Sequence, residues 1–213
     1  MNTESLLKQR LICVAVIDKP EHAVPLAEAL LAGGLHVIEV TSRTPGAAES
    51  IAHIRKNVPQ IAVGAGTLLT PDNVKHAVDA GAQFGVSPGL CESVLDAARE
   101  RNLPMFPGVM TPSDVTRALE LGWKQLKFFP AEAAGGVAML NALAGPFLHT
   151  GVKFIPTGGI NATSLADYLA VPHVAAVGGS WMATRNLVSE GAWDKITAFT
   201  AEAMKIIAQS GKK

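Results

Sequence analysis

The chain of 213 residues is short of cysteine, of aromatic side chains, of any charge imbalance and of long apolar runs. Its two cysteines, Cys13 and Cys91, lie far apart and without metal-ligand spacing, which argues against a disulfide framework and for two free, mainly structural thiols in a reducing compartment. Basic and acidic residues balance at 18 each with no long run of either sign, so the electrostatic footprint of a nucleic-acid or anionic-membrane binder is missing. No stretch approaches the ~18 consecutive apolar residues of a membrane span. Met1 to Arg10 is polar and mixed in charge, and the apolar stretch Leu11 to Ile17 ends at Asp18 and Lys19 without a small-residue cleavage site, so it reads as a strand. The expectation is a soluble, cytoplasmic protein acting on a small molecule. The histidines (His22, His36, His53, His76, His149 and His173) are scattered, so a metal cluster is not expected.

What the chain does have is aliphatic content: 48% of it is hydrophobic against 5% aromatic, which suits buried parallel strands flanked by small-residue helices. Short apolar runs alternate with amphipathic stretches along the whole length. The expected strands are Leu11–Ile17, His36–Thr41, Ile61–Ala65, Gln83–Ser87, Pro104–Pro107, Gln125–Phe128, Val152–Pro156 and Val174–Gly178. Thr70 before Pro71, Thr111 before Pro112, and Asn161 three residues before Ser164 resemble helix N-caps. Gly33–Gly34, Gly81 and Gly122 stand where helices should stop. A doubly wound sheet usually carries a glycine-rich turn after its first strand, whereas here Asp18–Lys19–Pro20 occupies that place. Eight βα units without a linker predict an α/β chain: a single-domain (β/α)8 TIM barrel over 1–213, with 1–10 as an additional N-terminal helix or extension.

In such a barrel chemistry sits at the C-terminal ends of the strands. Lys127, inside an apolar strand, must find a partner or lose its proton, because burial disfavours the ammonium; it is either a structural ion pair with Glu39 or a nucleophilic amine. Glu39, also inside an apolar strand, is either the counter-ion or the carboxyl that imine chemistry needs to move protons. Arg43 offers a planar fork for a substrate carboxylate, or is a surface charge; Thr67 offers a hydroxyl, or is turn chemistry. Gly158–Gly159 and Gly178–Gly179–Ser180 follow the seventh and eighth strands, where many barrels bind phosphate through backbone N–H groups, although tight turns alone would also use glycine. Trp181 is placed below the phosphate turn, and Trp123 and Trp193 are read as packing residues.

Taken together, Glu39-Val-Thr-Ser-Arg43, Gly64-Ala-Gly-Thr67, Ser87-Pro-Gly89, Lys127-Phe-Phe-Pro-Ala-Glu132, Pro156-Thr-Gly-Gly159 and Gly178-Gly-Ser-Trp181 make a chain that resembles the 2-keto-3-deoxy-6-phosphogluconate (KDPG) aldolase family, lyases of the Entner–Doudoroff pathway. The resemblance runs from about Leu11 to the C-terminal helix. It implies a class I aldolase that splits KDPG into pyruvate and glyceraldehyde 3-phosphate without a cofactor. Lys127 would form the imine and Glu39 would be the general acid/base, with Arg43 and Thr67 on the pyruvyl carboxylate. Thr157 would govern the stereochemistry of the aldehyde, Pro88 and Phe129 would shape the wall, and Gly158, Gly159, Gly179 and Ser180 would cradle the phosphate. It also implies a homotrimer. Ser42 departs from the apolar residue usual in that motif, which bears on substrate preference. The alternatives are a 4-hydroxy-2-oxoglutarate aldolase or an aldolase for the galactonate epimer of KDPG with the same lysine, and, from a different class, a non-aldolase isomerase or binding protein for a sugar phosphate.

Overall fold

Strands and helices alternate from Leu11 to the C-terminal helix in a computed structural model that describes residues 6–210. The strands are β1 (Leu11–Ala15), β2 (Val37–Thr41), β3 (Ala62–Gly66), β4 (Gly85–Val86), β5 (Met105–Phe106), β6 (Gly108–Val109), β7 (Gln125–Phe128), β8 (Lys153–Pro156) and β9 (Val177–Gly179). The helices are α1 (Ala23–Ala32), α2 (Ala47–Asn57), α3 (Pro71–Asp79), α4 (Glu92–Glu100), α5 (Pro112–Glu120), α6 (Gly136–Ala144), α7 (Leu165–Leu169), α8 (Arg185–Ser189) and α9 (Trp193–Ser210). Pairing is parallel throughout, in a six-stranded sheet ordered β5-β4-β3-β2-β1-β9 and a three-stranded sheet ordered β6-β7-β8. The architecture is mixed α/β, with a curled parallel sheet.

Most expected strands are found with shifted bounds, β1 ending at Ala15 rather than Ile17 and β9 starting at Val177 rather than Val174, and one is broken. In place of a continuous Pro104–Pro107 strand, two short pieces, β5 and β6, flank Pro107 and belong to different sheets. Proline has no N–H to give a ladder, although the Pro107 carbonyl still accepts from Lys127 N at 2.8 Å. The caps obey their chemistry. Thr70 Oγ1 accepts from Asn73 N, and Thr111 and Asp114 form a reciprocal capping box at the start of α5. Asn161 accepts from the backbone of Thr163 and Ser164, but the chain makes a turn there, and α7 starts only at Leu165. Gly34, Gly81 and Gly122 take left-handed φ of 91°, 88° and 83° where three helices end.

Successive strand residues divide between two cores, as the two-residue period requires. Ile38 and Val40 of β2, and Leu126 and Phe128 of β7, pack with helix residues such as Leu26, Leu30 and Ile51 in the larger, outer core. Ile12, Val37, Val86, Phe106 and Ile155 join Phe84 in a smaller core on the opposite strand face. That smaller core also takes in Leu6 and Leu7, which are helical and buried, so the chain before β1 covers the end where the strands begin. Residues 1–5 of the expected N-terminal helix lie outside the described residues.

Candidate active site

The same alternation decides where the chemistry sits. Because Val37 belongs to the inner core, Glu39 and Thr41 share its face of β2; because Leu126 and Phe128 belong to the outer core, Lys127 points the other way. Glu39 and Lys127, from β2 and β7, therefore meet on one side of the strands. Lys127 Nζ lies 3.6 Å from Glu39 Oε1, with side chains only 8% and 4% exposed. That is an ion-pair distance but too long for a hydrogen bond. Glu39 Oε1 is buried without a hydrogen-bond partner, and Nζ lies 5.2 Å from the centroid of the Phe129 ring. A buried ion pair that serves stability alone needs close geometry and satisfied lone pairs; this one leaves acceptor capacity unused and space between the groups. The sequence makes room for it at Gly66, where a β-carbon would run into the Glu39 carboxylate.

The pair forms part of the lining of a cavity of about 310 Å³. Arg43, exposed just past β2, and Thr67, just past β3, line one part of it. Thr67 holds φ at 58°, a left-handed conformation that is unfavourable for a β-branched residue and is the kind of local strain that clusters at functional sites. Pro88 and Phe129 supply wall, and buried Thr157 donates through Oγ1 to the Ile155 carbonyl at 3.3 Å. At the remaining part, Gly158 and Gly159 take φ of 104° and 81°, beside Gly179 and Ser180. A β-carbon on Gly179 would enter the Trp181 ring, which sets Trp181 against that turn. Every site residue expected from the sequence thus borders one cavity.

Val14, Thr41 and Ile160 also line it and were not singled out, and Gly178, named with the second glycine turn, lines it beside them. The first two were detectable in principle: Val14 pairs with Glu39 in register, and Thr41 lies two residues beyond it on the same face. The Thr41 hydroxyl is occupied by the Ala15 carbonyl at 3.1 Å, so its role there is structural. A β-carbon on Gly178 would strike Thr157 Oγ1, a close approach visible only in three dimensions. Ser42 borders a different, smaller cavity with Thr44, Asn73 and His76, because the residue after Thr41 faces the other way. The thiol of Cys13 is pushed up by burial and then by the nearby Glu39 charge, which keeps it an inert SH; that of Cys91 is held below the usual value chiefly by the Ser93 hydroxyl.

A family model described as "Aldolase: KDPG and KHG aldolase" matches residues 3–199. The KHG/KDPG aldolase of Escherichia coli (strain K12) is 48% identical over 192 residues, covering 90% of this chain and 89% of that protein. The 2-dehydro-3-deoxy-phosphogluconate aldolase of Dickeya dadantii (strain 3937) is 48% identical over 191 residues, with the same coverage of 90% and 89%. Among solved structures, KDPG aldolase from Legionella pneumophila, with pyruvate captured at low pH as a covalent carbinolamine intermediate, superposes with a TM-score of 0.89 at 42% identity, covering 94% of this chain and 97% of that one.

Proposed function

Since the chain belongs to the KDPG and KHG aldolase family, we propose that it is a class I aldolase cleaving KDPG to pyruvate and glyceraldehyde 3-phosphate through an imine on Lys127. The observation that carries this reading is the buried Lys127–Glu39 pair, 3.6 Å apart and not hydrogen-bonded, in a cavity bordered by a guanidinium, hydroxyls and glycine turns. In the reaction Nζ attacks the C2 ketone, and Glu39, as the acid, protonates the carbinolamine hydroxyl so that it leaves as water. Glu39, now a carboxylate, removes the proton of the C4 hydroxyl. The C3–C4 bond breaks, its electrons pass into an enamine, and the aldehyde departs. Protonation of the enamine at C3 and attack of water on the imine release pyruvate and restore the amine.

In this reading Arg43 and Thr67 hold the pyruvyl carboxylate. Gly158, Gly159, Gly179 and Ser180 receive the phosphate, where two successive left-handed glycines turn backbone toward the cavity. Thr157, beside the point where the aldehyde carbon forms, sets stereochemical preference, and Pro88 and Phe129 limit the pocket. Ser42, lining another cavity, does not enter the carboxylate clamp. The names of the relatives favour a second substrate, 4-hydroxy-2-oxoglutarate, for the same lysine.

We further read residues 1–213 as one domain in which the two sheets close into an eight-stranded (β/α)8 barrel. Chain continuity across Pro107 on one side, and the parallel bridges Phe154–Val174 and Thr157–Gly178 on the other, support closure. We read the assembly as a homotrimer in the cytoplasm; among the described residues, no helix is long and apolar enough to cross a membrane. Borohydride reduction in the presence of pyruvate tests the mechanism: the protein is expected to gain a stable adduct at Lys127, and unmodified protein after reduction would reject it.

A further inference from the structure

Glu132 and Tyr168 lie outside the cavity lining, yet Glu132 packs against the Gly158–Gly159 turn and Tyr168 holds Glu132. Glu132 N donates to the Gly158 carbonyl at 3.0 Å, and the neighbouring Ala131 N donates to the Thr157 carbonyl at 2.8 Å, so the segment after β7 is pinned to the segment after β8. The stem of Glu132 fills the space beneath Gly159: a β-carbon there would come within 2.7 Å of Glu132 Cβ and 2.8 Å of its Cγ. The carboxylate is in turn fixed by Tyr168 Oη, which donates to Oε1 at 2.6 Å. Tyr168 is 1% exposed and belongs to α7, the helix that comes after the glycine turn. The turn is therefore enclosed by an element before it and an element after it, tied together by one short charge-assisted hydrogen bond.

Two glycines at positive φ are intrinsically loose, and a cradle of backbone N–H groups binds an anion well only when it is held in shape beforehand. We infer that the Tyr168–Glu132 hydrogen bond is a positioning device for the phosphate cradle, and so a determinant of preference for phosphorylated over unphosphorylated keto acids. Neither residue touches the reacting atoms. The inference rests on the phosphate role assigned above to Gly158, Gly159, Gly179 and Ser180.

The test uses the full chain, two substrates and three variants. Tyr168→Phe and Glu132→Ala are expected to raise KM for KDPG by about three- to tenfold, the scale of a lost hydrogen bond to a charged group partly transmitted to the ligand. Orthophosphate should inhibit them correspondingly less, while kcat, KM for 4-hydroxy-2-oxoglutarate and the rate of pyruvate trapping on Lys127 stay near wild type. Glu132→Gln keeps an acceptor for the tyrosine and should retain the wild-type KM. Equal rises in KM for both substrates, no rise for either, or a Glu132→Gln defect as large as that of Glu132→Ala would overturn the inference. If Tyr168→Phe does not fold, the contrast between Glu132→Ala and Glu132→Gln decides alone. Ser180→Ala is the separate control: if it too fails to discriminate KDPG from 4-hydroxy-2-oxoglutarate, the phosphate assignment falls, and not merely its support.

Discussion

The two ends of the cavity are built in opposite ways. At one end, Glu39 and Lys127 present side chains that rigid strands project inward, and in the proposed reaction chemical identity is what counts. At the other, Gly158, Gly159 and Gly179 contribute no side chain, and what counts is a backbone conformation together with room for Phe129, Glu132 and Trp181 to press against it. Substitutions at the first end should therefore remove chemistry and leave the fold, whereas those at the second should shift binding and stability together.

The sharpest contrast is Lys127→Ala, expected to abolish both cleavage and borohydride trapping in a protein that still folds; residual imine formation would break the comparison at its root. Glu39→Gln comes next, with a fall in kcat of roughly 10²–10⁴-fold, the usual worth of a positioned acid–base group, checked by steady-state assay against unchanged thermal stability. Gly179→Ala forces a methyl into the Trp181 ring, so at the second end we expect a loss of about 1–3 kcal/mol in denaturant unfolding alongside a raised KM for KDPG. Arg43→Ala belongs between the two types. Its guanidinium is exposed and strand-adjacent, and its removal should raise KM for either keto acid by roughly 10- to 100-fold with little change in stability.

The smallest effect separates global acid sensitivity from both ends. His173 lies at the opposite end of β8, edge-on to Phe154, and its pKa is lowered by burial first and by the Lys153 charge second. A histidine held below its unfolded value favours the folded state in neutral form. Its contribution is present above the ordinary histidine pKa of 6.5 and is lost as pH falls through that value toward the folded one. Melting curves between neutral and mildly acidic pH should thus show a modest decline that His173→Gln flattens, while KM measured well below the melting temperature stays unaffected.

Legibility differed between these regions for physical reasons. Strand periodicity, caps and glycine stops could be read from local sequence, and β7 has the bounds expected for it, Gln125–Phe128. Glu39 and Lys127 stood out because charges inside apolar strands are costly enough to demand a reason. Glu132 drew no attention as a positioning group, because an acid after a strand is ordinary until Gly159 is found resting on its stem. Tyr168, 36 residues further along the chain, was equally silent. Val14 and Thr41 were within reach of the two-residue period but were obscured by the uniform apolar character of buried strands. The break at Pro107 was hidden because proline ends a ladder only when its neighbours require the missing donor.

By itself the sequence determined the alternation of strands and helices, the aliphatic character of the core and the identity of the groups proposed for imine chemistry, since these depend on period, volume and residue type over short spans. Tertiary structure alone decided that Glu39 and Lys127, from strands far apart in the chain, stop 3.6 Å from each other without a hydrogen bond, and that a tyrosine secures the glycine turn through Glu132. Distances of that kind arise from how strands are ordered and registered across the fold, and no local pattern of residues encodes them.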